Sequence, residues 1–350
     1  DIPGYLRLIA EGQIDKAYAL IREKVPFPGI LGRVCTHPCE DACRRGEVNE
    51  PIAICALKRY AADNAARLPE QIWNVEKDTG HRVAIVGAGP AGLTAAFYLR
   101  RKGHHITLFE EMPKPGGMLR FGIPDFRLPK NVVDAELKEI LDLGIEVKVN
   151  RKMGRDFDLD SLRADGYEAI FIAVGASISK RIDLFGGDHH DALWGIDFLR
   201  EVNEGKEIAL KDKVLVIGGG NVAIDVALTA LRLGAKEVTL ACLECREEMP
   251  ANQWEIEQAM KEGVIIMPSW GPHKILEESG TITGAELVRC TSVFDDGGNF
   301  CPTFANIRET VRTDQVILAI GQEPDLSCIC LLYTSPSPRD LSTSRMPSSA

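Results

Sequence analysis

Val83-Ala84-Ile85-Val86-Gly87-Ala88-Gly89-Pro90-Ala91-Gly92 decides the fold. Arg82 leads into an unbroken apolar run, which reads as a strand of a parallel sheet covered on both faces. The glycines then spell Gly-x-Gly-x-x-Gly at the start of a helix expected over Ala91 to Arg101. Gly87 permits the tight turn, Gly89 lets a diphosphate approach the backbone, and Gly92 allows helix and strand to pack closely. The diphosphate belongs on the helix N-terminus, where unpaired N–H groups and the helix dipole favour negative charge. Ile106 to Glu110 reads as the next strand, and Glu110 follows Gly87 by 23 residues. It is the acid expected about 20 residues on to receive the ribose hydroxyls. Glu111 beside it is expected on the opposite side of the strand.

The same pattern returns about 130 residues later. Lys213 to Ile217 reads as a strand, Gly218 to Gly220 as a tight turn, Val222 to Leu233 as a helix and Glu237 to Cys242 as the following strand. Gly218, Gly220 and Ala223 form Gly-x-Gly-x-x-Ala, a form common at nicotinamide nucleotide sites. Glu244, 26 residues after Gly218, would accept from a ribose 2′-hydroxyl and repel a 2′-phosphate, which favours NADH. Arg246 could pair with that phosphate, which favours NADPH. Gln315 to Ala319 reads as a strand that carries the chain back toward the first fold.

In front of both units, Cys35, Cys39 and Cys43 stand in a Cys-x-x-x-Cys-x-x-x-Cys array, and Cys55 follows after eleven intervening residues. Soft thiolates in this spacing suit an iron–sulfur cluster. Zinc with His37 as a further ligand, or plain buried thiols, are the alternatives. Ile14, Ala17, Tyr18 and Ile21 mark one helix of this front segment, and a second is expected over Ala53 to Ala66. Cys242 and Cys245 form a Cys-x-x-Cys, but beside a nucleotide-binding turn rather than at a helix start where a thiol pKa would be lowered.

The chain has 350 residues, is 45% hydrophobic and 26% charged, and carries a net charge of −10. This supports two or three compact units and argues against a nucleic-acid surface. No run of roughly 18 apolar residues marks a membrane span. The ten cysteines are not spread as a disulfide framework, so a reducing, cytoplasmic setting is expected. The absence of an initiator Met and of a signal segment suggests a chain that starts inside a longer protein. From Leu331 onward Ser, Thr and Pro dominate, and the string Leu331-Leu332-Tyr333-Thr334-Ser335-Pro336 reads as a flexible tail or translated adapter sequence.

Further stretches carry a resemblance. Asp1-Ile2-Pro3-Gly4-Tyr5, Gly32-Arg33-Val34-Cys35, Asn49-Glu50-Pro51, Gly116 to Pro124, Arg127-Leu128-Pro129-Lys130, Ala173-Val174-Gly175-Ala176, Arg246 to Ala251 and Ala319-Ile320-Gly321-Gln322 together resemble the glutamate synthase small (beta) subunit family over residues 1 to about 327. The resemblance implies FAD on the first dinucleotide fold and NAD(P)H on an inserted second one. It also implies hydride transfer to the flavin, then electron transfer through iron–sulfur clusters, of the 4Fe-4S type, to a partner subunit such as a glutamate synthase large subunit or another redox subunit. It assigns the FAD role to Gly87, Gly89, Pro90, Ala91, Gly92, Glu110, Gly117, Leu119 and Arg120. It assigns the nicotinamide nucleotide role to Gly218, Gly220, Asn221, Val222 and Ala223. No side-chain acid or base is needed for hydride transfer, so no catalytic residue is named. Where the family has a further Cys this chain has Leu31, and Leu243 and Glu244 replace paired arginines.

The expected fold class is α/β, with two nested Rossmann-like domains behind a small α-helical iron–sulfur domain. The expected boundaries are 1–78 for the cysteine-rich domain, 79–185 for the first part of the FAD domain, 186–314 for the NAD(P) domain, 315–330 for the return to the FAD domain and 331–350 for the tail. Two other functions compete: a non-catalytic docking subunit stabilised by metal, and a disulfide reductase using Cys242 and Cys245.

Overall fold

The computed structural model describes residues 1–66, 74–182 and 189–328. The chain divides into two compact units, one running from Asp1 to Gly175 and one beginning at Ala176.

The first unit opens with helices α1 (Ile2–Ala10), α2 (Ile14–Arg22), α3 (Pro28–Val34), α4 (Pro38–Asp41) and α5 (Ile54–Asn64). Asp1 caps α1 by accepting the Gly4 N–H at 2.9 Å. Prolines begin α3 and α4, where the missing N–H would have no intrahelical partner. The helical spacing expected at Ala17, Tyr18 and Ile21 is the buried face of α2, and Arg22 is buried beside it. Tyr5, Ala17, Ile21, Ile54 and Ala61 make the core of this front segment.

The first dinucleotide fold follows as β1 (Arg82–Val86), α6 (Pro90–Arg101), β2 (His105–Phe109), α7 (Met118–Phe121), α8 (Lys130–Leu141), β3 (Glu146–Lys148), α9 (Leu159–Ala164) and β4 (Ala169–Ile172). Its strands form a parallel sheet in the order β3-β2-β1-β4. The apolar runs of β1 and β2 are buried as expected. Phe27 and Ile30 of the front segment enter the same core as Ile85, Leu93, Phe97 and Leu137. Helix α3, whose C-cap is Cys35, therefore packs into the core of this fold, while α5 belongs to the front segment's own core.

The second unit runs through β5 (Ile178–Ser179), β6 (Ala192–Trp194), α10 (Gly195–Asn203), β7 (Lys213–Ile217), α11 (Asn221–Arg232), β8 (Glu237–Cys242), α12 (Gln253–Lys261), β9 (Ile265–Pro268), β10 (Trp270–Glu278), β11 (Thr281–Phe294), β12 (Phe300–Val311), β13 (Gln315–Leu318) and β14 (Gln322–Glu323). Five parallel strands take the order β6-β13-β7-β8-β9. The helices pack one face through Phe198, Ile224, Val226 and Ile256. The antiparallel meander β10-β11-β12 covers the other, setting Ile275, Ile282 and Leu287 against Leu215 and Ile217.

One expectation is corrected here. Gln315 to Leu318 does not leave for the first fold; it lies inside the second sheet, between β6 and β7. Its four residues are all buried, so its apolar run is the interior of that sheet. The chain enters and leaves this fold side by side, where β5 pairs antiparallel with β14. The boundary expected between residues 185 and 186, and the tail from residue 331, lie outside the described residues.

Candidate dinucleotide and cluster sites

The first phosphate loop has the geometry its glycines require. Gly87 sits at φ +102, and a Cβ there would collide with the Ala173 carbonyl. A Cβ on Gly92 would collide with the Gly87 carbonyl, so helix and strand meet only because the residue is glycine. Gly89 differs: it caps α6 at φ −80, and its Cβ would meet nothing nearer than the Gly117 Cα at 3.8 Å. No side chain caps α6, and Pro90 occupies its first turn, so the N–H groups of Ala91 and Gly92 have no side-chain acceptor at the cap.

Glu110 follows β2 directly and is buried, with Oε2 accepting the Ala88 N–H at 2.8 Å and Oε1 the Met112 N–H at 2.9 Å. Burial raises its pKa, against the pull of those two N–H groups. Glu111, two residues past the end of β2, turns outward to Lys152, 3.4 Å away. The Gly116–Gly117 turn lies against the loop: the Gly116 N–H donates to the Ala88 carbonyl at 2.8 Å, and a Cβ on Gly117 would come within 2.7 Å of the Gly89 Cα.

Two of the residues that the resemblance assigns to FAD have their side chains turned into the protein. Leu119 is buried in the sheet core. The Arg120 guanidinium is buried, donating from Nε to the Pro115 carbonyl at 2.7 Å and pairing with Asp134 on α8. The Arg120 side chain lies against Gly116, and the Leu119 backbone N–H donates to the Gly116 carbonyl at 3.1 Å.

The second loop repeats the plan. Gly218, at φ +143, would clash with the Ala319 carbonyl if it carried a Cβ. Gly220 caps α11 with no side-chain cap, and its Cβ would meet nothing within 4 Å. Ala223 is fully buried against the loop, and Val222 packs at the edge of the same core. Asn221 is structural here: its Oδ1 accepts the Asn252 N–H at 2.9 Å, while the Ala251 N–H donates to the Gly219 carbonyl at 3.1 Å. These bonds tie Met249-Pro250-Ala251 to the phosphate loop. Glu244 lies over the loop, with Oε2 2.7 Å from where a Gly219 Cβ would stand. Burial and the Glu248 charge raise its pKa. Arg246 reaches α12, donating to the Gln253 Oε1 at 3.3 Å.

Cys242 and Cys245 do not make a reactive pair. Burial pushes the Cys242 thiol up to about 12, and Glu248 raises Cys245. Thiols held protonated are poor nucleophiles, so neither cysteine is poised for disulfide exchange.

In the front segment Cys35, Cys39, Cys43 and Cys55 are free and partly buried. Cys35 accepts the His37 N–H on its sulfur at 3.3 Å. Backbone N–H groups, first that of Ile52, then those of Arg45 and Gly46, lower the pKa of Cys43. Burial raises that of Cys55, with Cys35, Glu40 and Cys39 close enough to add to it. Glu40 stitches the set together, accepting the Cys55 N–H at 2.7 Å and lying 3.5 Å from His37 Nδ1.

Among the described residues, three or more ligand atoms within 4.8 Å of one another occur only at His189, His190 and Asp191. The four cysteines are not among such groups; backbone N–H groups reach the sulfurs of Cys35 and Cys43, the kind of bond that tunes a thiolate-held iron–sulfur cluster.

Sequence reasoning missed Glu136 on α8. It is buried and accepts the Gly29 N–H at 2.6 Å and the Ile30 N–H at 2.9 Å, capping the helix that ends at Cys35. Arg22, wholly buried, pairs with Glu139 on the same helix. The spacing of Val133, Leu137 and Ile140 puts Glu136 on the buried face of α8, but a charged residue type there gives no local sign of its partner.

Residues 81–332 match the pyridine nucleotide-disulphide oxidoreductase family, and residues 1–69 match dihydropyrimidine dehydrogenase domain II, 4Fe-4S cluster. The NADP(+)-dependent formate dehydrogenase subunit beta of Moorella thermoacetica is 41% identical over 93% of this chain and 50% of its own length. The NAD-dependent dihydropyrimidine dehydrogenase subunit PreT of Escherichia coli is 34% identical over 94% of this chain and 76% of its own. This chain therefore spans about half the length of the first relative. FprA of Mycobacterium tuberculosis, solved with NADPH, shares the fold with a TM-score of 0.60 at 18% identity, over 69% of this chain and 71% of its own.

Proposed function

The chain belongs to the pyridine nucleotide-disulphide oxidoreductase family, with a 4Fe-4S domain in front, and on that premise we propose that it is the NAD(P)H-oxidising electron-transfer subunit of a larger redox complex. The family is the one to which the glutamate synthase small subunit belongs. The observation that carries the reading is a pair of helix N-termini, at Gly89 and Gly220, each begun by a glycine and left without a side-chain cap.

At the first loop Gly87, Gly89, Pro90, Ala91 and Gly92 would hold the FAD diphosphate and Glu110 its ribose, with Gly117 closing the far side and Leu119 and Arg120 bracing that turn. At the second, Gly218, Gly220, Asn221, Val222 and Ala223 would hold NAD(P)H, with Glu244 and Arg246 beside its ribose. Cys35, Cys39, Cys43 and Cys55 would ligate a 4Fe-4S cluster. FAD held there would supply hydride acceptance from NAD(P)H and one-electron release. The protein's own residues bind and orient.

The acceptor is a partner subunit, with a glutamate synthase large subunit or another redox subunit as the candidates. Among the described residues no helix is long and apolar enough to cross a membrane, and the free thiols favour the cytoplasm. Flavin, iron and sulfide analysis of anaerobically purified full-length protein tests the reading. Flavin bands bleached by NADH or NADPH, with iron and acid-labile sulfide, are expected. Zinc without iron, in a colourless protein, would favour a docking subunit.

A further inference from the structure

We propose that Glu244 makes the second fold a site for NADH rather than NADPH. The inference rests on reading that fold as the nicotinamide nucleotide site, and it comes from laying the two phosphate loops over each other. In the first, the Gly87 N–H donates to the Phe109 carbonyl at 2.7 Å, and the next residue, Glu110, returns its carboxylate to the second loop residue, Ala88. In the second, the Gly218 N–H donates to the Ala241 carbonyl at 2.9 Å, and the next residue is Cys242. Its thiol is buried and bonds the Glu244 carbonyl at 3.5 Å, so it offers a ribose nothing.

The missing carboxylate arrives from two residues further on. Glu244 folds back so that its Oε2 stands over Gly219, the counterpart of Ala88. A Cβ at 219 would lie 2.7 Å from that oxygen and 3.0 Å from the Cys242 Cβ, so glycine is what admits the carboxylate here. The turn that delivers it is fixed. The Ser269 N–H donates to the Glu244 carbonyl at 2.8 Å, and Leu243 packs over Gly271, where a Cβ would be 2.7 Å from its Cδ2. Both folds thus bring a carboxylate to the same loop residue, by a hydrogen bond to the Ala88 N–H in the first and by close approach to the Cα side of Gly219 in the second.

A carboxylate there accepts from the adenosine 2′-hydroxyl and opposes a 2′-phosphate. Glu248 adds to the negative field. Arg246, the cation that could offset it, bonds the Gln253 side chain and rests on the Met260 sulfur at 3.8 Å.

The test is calorimetric binding of NAD⁺ and NADP⁺ to full-length holoprotein, with turnover of NADH and NADPH alongside. NAD⁺ is expected to bind more tightly by roughly 100-fold, the scale of a like-charge penalty. Glu244→Gln should narrow that ratio to within about tenfold, and Glu244→Arg should invert it. A purely structural role for Glu244 would weaken both nucleotides in parallel and leave the ratio fixed. That result, or tighter NADP⁺ binding by the wild type, overturns the inference while leaving the site in place. Binding of neither nucleotide overturns the site, and the inference with it.

Discussion

Replacing Glu136 with alanine removes the carboxylate that caps α3. Gly29 and Ile30 are both buried, so their N–H groups, now 2.6 and 2.9 Å from Glu136, would find no water in its place. A buried donor left without an acceptor costs about 1–3 kcal/mol, so two cost about 2–6 kcal/mol before relaxation. Relief of the burial penalty on the carboxylate, evident in its raised pKa, offsets part of this. A net loss of about 3 kcal/mol is expected. The consequence reaches the cluster, because α3 ends at Cys35, whose N–H still bonds the Leu31 carbonyl at 3.2 Å. Urea unfolding followed by circular dichroism gives the stability, and iron per chain gives the cluster occupancy. Glu136→Gln, which keeps the shape and one acceptor, should lose less on both. A change below about 0.5 kcal/mol for Glu136→Ala, with iron retained in full, would refute the capping role.

The same residue sets a pH dependence. Its carboxyl is held above the ordinary 4.5, chiefly by burial, so the folded protein binds the proton more tightly than the unfolded chain. That contribution is whole below 4.5 and is lost as pH rises through the folded value, so the advantage of wild type over Glu136→Gln in urea midpoint should shrink with rising pH; a constant or growing advantage contradicts this. Gly87→Ala should be strongly destabilising, because it combines φ +102 with a collision at the Ala173 carbonyl. A thermal melt within about 2 °C of wild type would show that the loop is not built as described. Gly219→Ala should displace Glu244 and raise the relative affinity for NADP⁺, read from the same pair of binding constants, whereas an unchanged ratio would mean that the carboxylate does not stand over the loop.

Much of this was legible in the sequence because the decisive signals are local. The run from Val83 to Gly92 fixes strand, turn and helix within ten residues, and α6 begins at Pro90, one residue before expectation. Non-local choices were harder to read. Gln315 to Leu318 looks the same whether it closes one parallel sheet or another, and only its pairing with β7 and β6 decides. Arg120 carries a motif, yet its charge answers Asp134 inside the fold. Glu136 shares the buried face of α8 with Val133, Leu137 and Ile140, and what a carboxylate does on an apolar face shows only once α3 is docked against it. Glu244 was visible as an acid at roughly the right distance, but spacing alone could not show that Cys242 holds the structural equivalent of Glu110 and that the carboxylate must fold back.

The account's central claim is that each glycine-exposed helix terminus holds its own dinucleotide. A Cβ at Gly89 would only touch the Gly117 Cα and one at Gly220 would touch nothing within 4 Å, at φ values any residue adopts, so valine at either would fill the approach a diphosphate needs without forcing a backbone clash at its Cβ. FAD content and NAD⁺ affinity should therefore be measured on Gly89→Val and Gly220→Val, alongside circular dichroism. Gly89→Val is expected to lose FAD and keep NAD⁺ binding, and Gly220→Val to do the reverse, both remaining folded. Folded variants that keep both ligands, or lose them in the opposite pairing, would contradict it.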